Sequence, residues 1–150
     1  MANTVRENIL ANIKTVLTGI TVAGGYANTI ASVQRWNQSG NSFIDTPCLI
    51  INAGPEEKEH RPGFITSCKL SVLIDLWVIK PTDSDTYLNS LLGDVEKALM
   101  TDYTRGGYAA NTKLLGVLPF EAAEGQPYCG LIINVEIEYR HKSTDPTTAV

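Results

Sequence analysis

Thr66-Ser67-Cys68-Lys69-Leu70-Ser71-Val72-Leu73-Ile74-Asp75-Leu76-Trp77-Val78 is the stretch that decides the fold. Cys68, Leu70, Val72, Ile74, Leu76 and Val78 recur at every second position, the period at which a β-strand returns its side chains to one face. Ser67, Lys69, Ser71 and Asp75 take the other face, and the run is longer than the strands most small domains use. Its second half breaks the alternation, because Leu73, Trp77 and Ile79 put apolar side chains among the polar ones. Such a strand needs cover on both sides: either helices on one and another subunit on the other, or burial as a central strand.

Upstream, Pro47 opens a short apolar strand, Cys48 to Asn52, and Gly54-Pro55 is expected to end it. The charged segment Glu56-Glu57-Lys58-Glu59-His60-Arg61 and the turn pair Pro62-Gly63 then predict a hairpin whose tip, residues 55 to 63, projects from the body. At the N-terminus, Thr4 with Glu7 three residues later has the form of a capping box, followed by Val5, Ile9, Ile13, Val16, Leu17 and Ile20 at helical spacing. An amphipathic helix is expected over residues 4 to 18, then a glycine stop at Gly19, a turn at Gly24-Gly25, a β-prone run from Asn28 to Trp36 and a loop from Asn37 to Asp45.

Downstream, Thr82 or Asp83 is placed to cap a second helix bearing Tyr87, Leu88, Leu91, Leu92, Val95, Leu99 and Met100 on one face. Arg105-Gly106-Gly107 is a turn, Thr112 to Phe120 a strand, Ala123 to Gln126 a hairpin loop, and Cys129 to Arg140 a strand alternating Leu131, Ile133, Val135, Ile137 and Tyr139 with Asn134, Glu136 and Glu138. Helix, three strands, helix and two strands imply an α+β fold: a mixed, mainly antiparallel β-sheet with two α-helices packed on one face and a protruding β-hairpin arm. One domain is expected over residues 1–142, with a flexible tail at 143–150.

A chain of 150 residues buries roughly two thirds of its unfolded surface and needs no covalent staple. Cys48, Cys68 and Cys129 stand singly in or beside apolar runs, as small buried hydrophobes rather than disulfide or zinc partners. The opening helix is polar and capped, unlike a signal peptide, and the longest apolar runs are too short to span a bilayer, so no membrane partner is expected. A net charge of −4 with interspersed signs gives no basic patch for phosphates.

The chemistry-bearing residues do not assemble into a reaction. His60 and His141 lie apart from any Ser, Cys or carboxylate pattern that would make a triad, and Glu57, Glu59 and His60 form a solvated charged loop before they form a metal site. Neither Gly-Gly pair matches a phosphate-binding loop. Glu136 and Glu138 share a face at strand period, a pattern that an amphipathic strand explains without catalysis. The expectation is therefore no enzyme, no cofactor and no metal.

The opening helix, Thr46-Pro47-Cys48-Leu49-Ile50 leading to Gly54-Pro55-Glu56-Glu57, the strand ending Leu73-Ile74-Asp75-Leu76-Trp77-Val78, the helix Leu91 to Asp102 and the closing Glu136-Ile137-Glu138-Tyr139-Arg140 form one diffuse pattern. It resembles the tail terminator proteins of long-tailed bacteriophages along nearly the whole chain. The resemblance implies a structural virion protein of the neck, found in the virion and, during assembly, in the host cytoplasm. It implies a hexameric ring that caps the tail tube, ends its polymerisation and joins it to the head. The implied partners are sister copies, the major tail tube protein and a head-tail connector or stopper protein, with genomic DNA passing through the lumen unbound. Other neck proteins, for tail completion or head-tail joining, share this size and layout, and a small α+β enzyme or ligand-binding module is the reading from another class. Two sets of interface candidates follow from the pattern: Glu56, Glu57, Glu59 and Arg61 on the charged arm, and Leu73, Trp77 and Ile79 on the odd face of the long strand.

Overall fold

A computed structural model of the chain describes residues 2–36, 45–79, 83–121 and 128–150. The order is α1 (Val5–Thr18), β1 (Ser32–Arg35), β2 (Cys48–Arg61), β3 (Ile65–Ile79), α2 (Ser84–Thr101), β4 (Asn111–Glu121), β5 (Tyr128–Lys142) and β6 (Asp145–Ala149). The strands form one sheet in the order β1-β2-β3-β5-β4, with β6 added to the end of β5. Only the β1–β2 pair is parallel; the rest are antiparallel. The fold is α+β, as the element pattern requires.

Both helices lie on one face, each burying its apolar stripe against the same side of the sheet. Val5, Ile9, Leu10, Ile13 and Leu17 of α1, and Leu88, Leu91, Val95, Ala98 and Leu99 of α2, join the even-numbered side chains of β3 and the odd-numbered ones of β5 in a single core. Leu92 and Met100, placed on the core face by sequence, lie at its margin and outside it: Leu92 is partly buried and Met100 exposed. Thr4 caps α1, its hydroxyl accepting from the Glu7 amide at 3.1 Å. The Glu7 carboxylate takes both ends of the Arg35 guanidinium, at 2.6 and 3.0 Å, tying the helix start to β1. Asp83 precedes α2 with a left-handed backbone and no side-chain cap, contrary to expectation; Thr82, like the loops at 37–44 and 123–126, lies outside the described residues.

Gly54-Pro55 does not end β2. Ala53 pairs with Val72 and Glu56 with Leu70, so three steps on β2 oppose two on β3: one extra residue makes a bulge and the strand runs on to Arg61. Proline is tolerated there because β1 covers only Cys48 to Ile51 and leaves the outer edge of β2 free beyond. The segment expected as a charged loop is thus strand, and the turn is Pro62-Gly63-Phe64. β5 runs beside the hairpin to its end, where Ile65 pairs with Lys142, so the arm is three strands wide.

The segment expected as a tail holds a short strand, β6. The Asp145 carboxylate accepts from the Thr147 amide at 3.1 Å and the Thr147 and Thr148 hydroxyls at 2.6 and 2.7 Å. The chain reverses at Ser143-Thr144, and β6, braced by these bonds, pairs back onto β5 beyond residue 142.

Candidate interaction surface

The bulge decides which charges face where. Before it, Leu49, Ile51 and Ala53 belong to the helix-side core; after it, the parity flips, and Glu56, Lys58 and His60 take that side. Glu56 is consequently not a surface group: its side chain is 7% exposed and bonded to Arg6 of α1 at 3.1 Å, to Lys58 at 3.3 Å and to the Tyr139 hydroxyl. Burial, then the neighbouring Glu56 carboxylate, raises the Tyr139 pKa far above its ordinary value. Three mutually satisfied polar partners pin α1 to the far half of the sheet; Glu56 leaves the set of interface candidates.

Glu57, Glu59 and Arg61 remain on the helix-free face and are exposed. Cross-strand pairing sets Glu57 beside Lys69, and Lys69 beside Glu138. Glu138 in turn holds Lys113 of β4 at 2.7 Å, and its hydrogen bond to that ammonium lowers its pKa. Arg61 reaches Glu59 at 3.6 Å. The signs alternate across the strands, so this half of the face is a solvated ion-pair lattice, and each exposed pair contributes little to stability.

The other half of the same face is apolar. Leu73 and Trp77 are partly buried and Ile79 is exposed, with Ile132 and Tyr128 of β5 and Leu118 and Phe120 of β4 alongside. The three aromatic rings form a cluster: Trp77 meets Phe120 edge-on at 4.5 Å and Tyr128 at 6.1 Å. Gly130 makes it possible, because a Cβ there would lie 2.5 Å from the Phe120 ring and would collide with the Leu76 carbonyl. Asp75 is the one carboxylate among the β3 residues of this half; burial raises its pKa, against a 3.3 Å hydrogen bond from Asn52.

Two features went unmarked in the sequence. Leu115, Val117 and Leu118 of β4 are 51%, 41% and 63% exposed, on the outermost strand of the sheet. The signal was an apolar run without alternation, Leu114-Leu115-Gly116-Val117-Leu118, whose bulge between Leu114 and Gly116 turns Leu115 outward. At the opposite edge, Trp36 is 61% exposed with φ 52°, a backbone region that bulky residues rarely adopt. It lines a cavity of about 290 Å³ with Leu10, Arg35, Ile51 and Ala53.

Among the described residues no group of three or more His, Cys, Asp or Glu side chains is arranged to hold a metal ion. The three cysteines are free, Cys48 and Cys68 buried and Cys129 partly so. His141 is buried with Nδ1 2.7 Å from the Lys142 carbonyl, and His60 lies 3.5 Å from the Thr66 hydroxyl. No helix among the described residues is long and apolar enough to cross a membrane. A scan against models of protein families finds no match, and no curated protein matches the chain.

Proposed function

We propose that this chain is a structural subunit of a bacteriophage neck, a tail terminator that closes into a hexameric ring, caps the tail tube, ends its polymerisation and joins it to the head connector. The single observation that carries the reading is the helix-free face, whose half around Leu73, Trp77 and Ile79 keeps apolar surface where a self-sufficient subunit would be polar. The sequence resemblance supplies the identity of the ring. In this reading the protein performs no catalysis; its work is geometric, each copy offering one surface to the next until the ring closes. The ion-pair lattice of Glu57, Glu59, Arg61 and Lys69 gives register to a contact with the tube or connector protein. A net charge of −4 per copy suits a lumen through which DNA slides.

Native mass spectrometry over a range of concentrations, with and without the tail tube protein, tests this. The expected result is a hexamer that binds the ends of tube segments. A chain that stays monomeric at every concentration and ignores tube ends refutes the reading.

A further inference from the structure

Cys68 lies within the arm, on the helix side of β3, with Lys58 of β2 directly across on one flank and Tyr139 of β5 on the other. The Lys58 ammonium donates to its sulfur at 3.6 Å. The same ammonium is 3.3 Å from Glu56, which is held in turn by Arg6 at 3.1 Å and by the Tyr139 hydroxyl. A thiol, an amine and a carboxylate therefore stand in contact in that order. Cys48 is placed differently: it pairs with Ser32 and burial raises its pKa, the setting of an inert structural thiol.

The sulfur itself is 1% exposed, whereas the Lys58 side chain is 47% exposed. Lys58 forms one wall of a cavity of about 240 Å³, with Arg6, Glu56 and Tyr139 as others. A neutral solute as small as hydrogen peroxide that enters this cavity has only the lysine between it and the thiol. Bringing Nζ onto Sγ needs rotation in the flexible lysine stem alone, because the strand register already sets the two residues opposite each other.

We propose that Lys58 and Cys68 form an oxidative modification site, at which peroxide converts the pair to a covalent sulfenamide joining Nζ to Sγ. In the first step the sulfur attacks one oxygen of hydrogen peroxide, the O–O bond breaks, and the thiol proton leaves with the departing hydroxide as water. Sulfur is oxidised by two electrons to a sulfenic acid and the peroxide is reduced. In the second step the Lys58 ammonium gives a proton to the Glu56 carboxylate, and the freed nitrogen lone pair forms the N–S bond as the S–O bond breaks. The leaving hydroxide takes another proton from the nitrogen and departs as water, and Glu56 returns its proton to solvent. One thiol, one ammonium and one peroxide thus give one sulfenamide, two waters and one proton. A dithiol reductant reverses the reaction. The link ties β2 to β3 past the bulge, where β2 has no strand on its outer side, and so locks the arm's edge strand in register.

The test treats the full chain with hydrogen peroxide until Met100, an exposed methionine, is converted to its sulfoxide, which calibrates the dose. Peptide mapping by mass spectrometry is expected to show residues 58 and 68 joined, with a loss of about 2 Da at the junction that dithiothreitol restores. Lys58→Arg keeps a cation beside Glu56 but supplies no nucleophilic amine, and is expected to give Cys68 as the heavier sulfenic or sulfinic acid. Cys68→Ser is expected to give no link. Circular dichroism establishes that both variants fold as the parent does, and the parent's junction peptide decides by itself if either does not. Three results overturn the proposal: Cys68 still reduced at that dose, Cys68 oxidised without a bond to Lys58, or the same mass loss in Lys58→Arg, which a disulfide or a backbone amide would explain.

Discussion

Asp94 gives the sharpest test of how this fold is held. It sits on the buried side of α2, between Leu91 and Val95, where an apolar residue is expected. Its carboxylate accepts from the Ala27 amide at 3.0 Å, the Asn28 amide at 2.9 Å and the Asn28 side-chain amide at 2.9 Å. Lys97, one turn on, donates to the Gly25 carbonyl at 3.0 Å. Together they clamp the loop that carries Ile20 and Ile30 into the core. A hydrogen bond to a charged group contributes about 1.5–3 kcal/mol. The three are not additive, since the loop is part-exposed and its amides can return to water, so Asp94→Ala should lose about 3 kcal/mol gross. Alanine returns about 0.5 kcal/mol in helix propensity, leaving a net loss of about 2.5 kcal/mol. At this chain length that lowers Tm by roughly 5–10 °C. Thermal unfolding by circular dichroism reads the loss, and amide hydrogen exchange should show Ala27 and Asn28 deprotected. Asp94→Asn should fare nearly as badly, because its NH2 would face an amide donor. A variant within about 0.5 kcal/mol of the parent, with both amides still protected, would refute the clamp.

Two further substitutions probe the helix-free face. Gly130→Ala should cost at least about 3 kcal/mol or leave the chain insoluble, since the new Cβ meets a backbone carbonyl that cannot give way; urea unfolding of a soluble variant within about 1 kcal/mol of the parent would contradict the packing of Phe120 over that strand. Asp75→Asn should stabilise the fold at pH 7 and converge with the parent below about pH 4. The sign follows from the raised pKa of Asp75: its charge costs stability in full above the folded pKa, and the cost shrinks as pH falls below that value and is gone once pH is below the ordinary unfolded value. Glu7 and Glu138 act oppositely, their pKa values lowered by hydrogen bonds to Arg35 and Lys113, so what they contribute at neutral pH is lost on acidification in parent and variant alike. Equal stability of the two proteins at pH 7 would show that Asp75 is better solvated than its place among Ile50 and Ile132 indicates.

What sequence could reveal of this fold was whatever a single face determines. β3, β5 and both helices were legible because each buries one side in the chain's own core, and that burial writes its period directly into the residues. Glu56 was not. Which side of the sheet it occupies depends on whether Gly54-Pro55 terminates the strand or inserts one residue, and that turns on the register with β3, a relation between distant residues. The same holds for Trp36 and Leu118, whose exposure depends on how far β1 reaches and on which strand ends up outermost. The tail misled for a different reason: Thr147 and Thr148 read as solvent-loving residues until Asp145 is seen to bind both hydroxyls. Of the interface candidates, the bulge removed Glu56 and left Glu57, Glu59 and Arg61 on the same face as Leu73, Trp77 and Ile79.

That shared face carries its two chemistries at opposite ends of the strands. From Trp77 to Lys69 is eight residues, roughly 26 Å of extended chain, so the centre of the apolar cluster and the centre of the ion pairs lie well apart along the strand. A partner that covers the apolar end need not strip water from the charges, and so avoids the desolvation penalty that makes buried ion pairs a poor source of affinity. Conversely, a partner that engages the charged end meets pairs already half-satisfied by cross-strand neighbours, which favours register and reversibility over tight binding. The long strand that sets the fold therefore also partitions the surface, separating an end suited to lasting contact from one suited to recognition, and it does so because Leu73, Trp77 and Ile79 replace polar residues only in its second half.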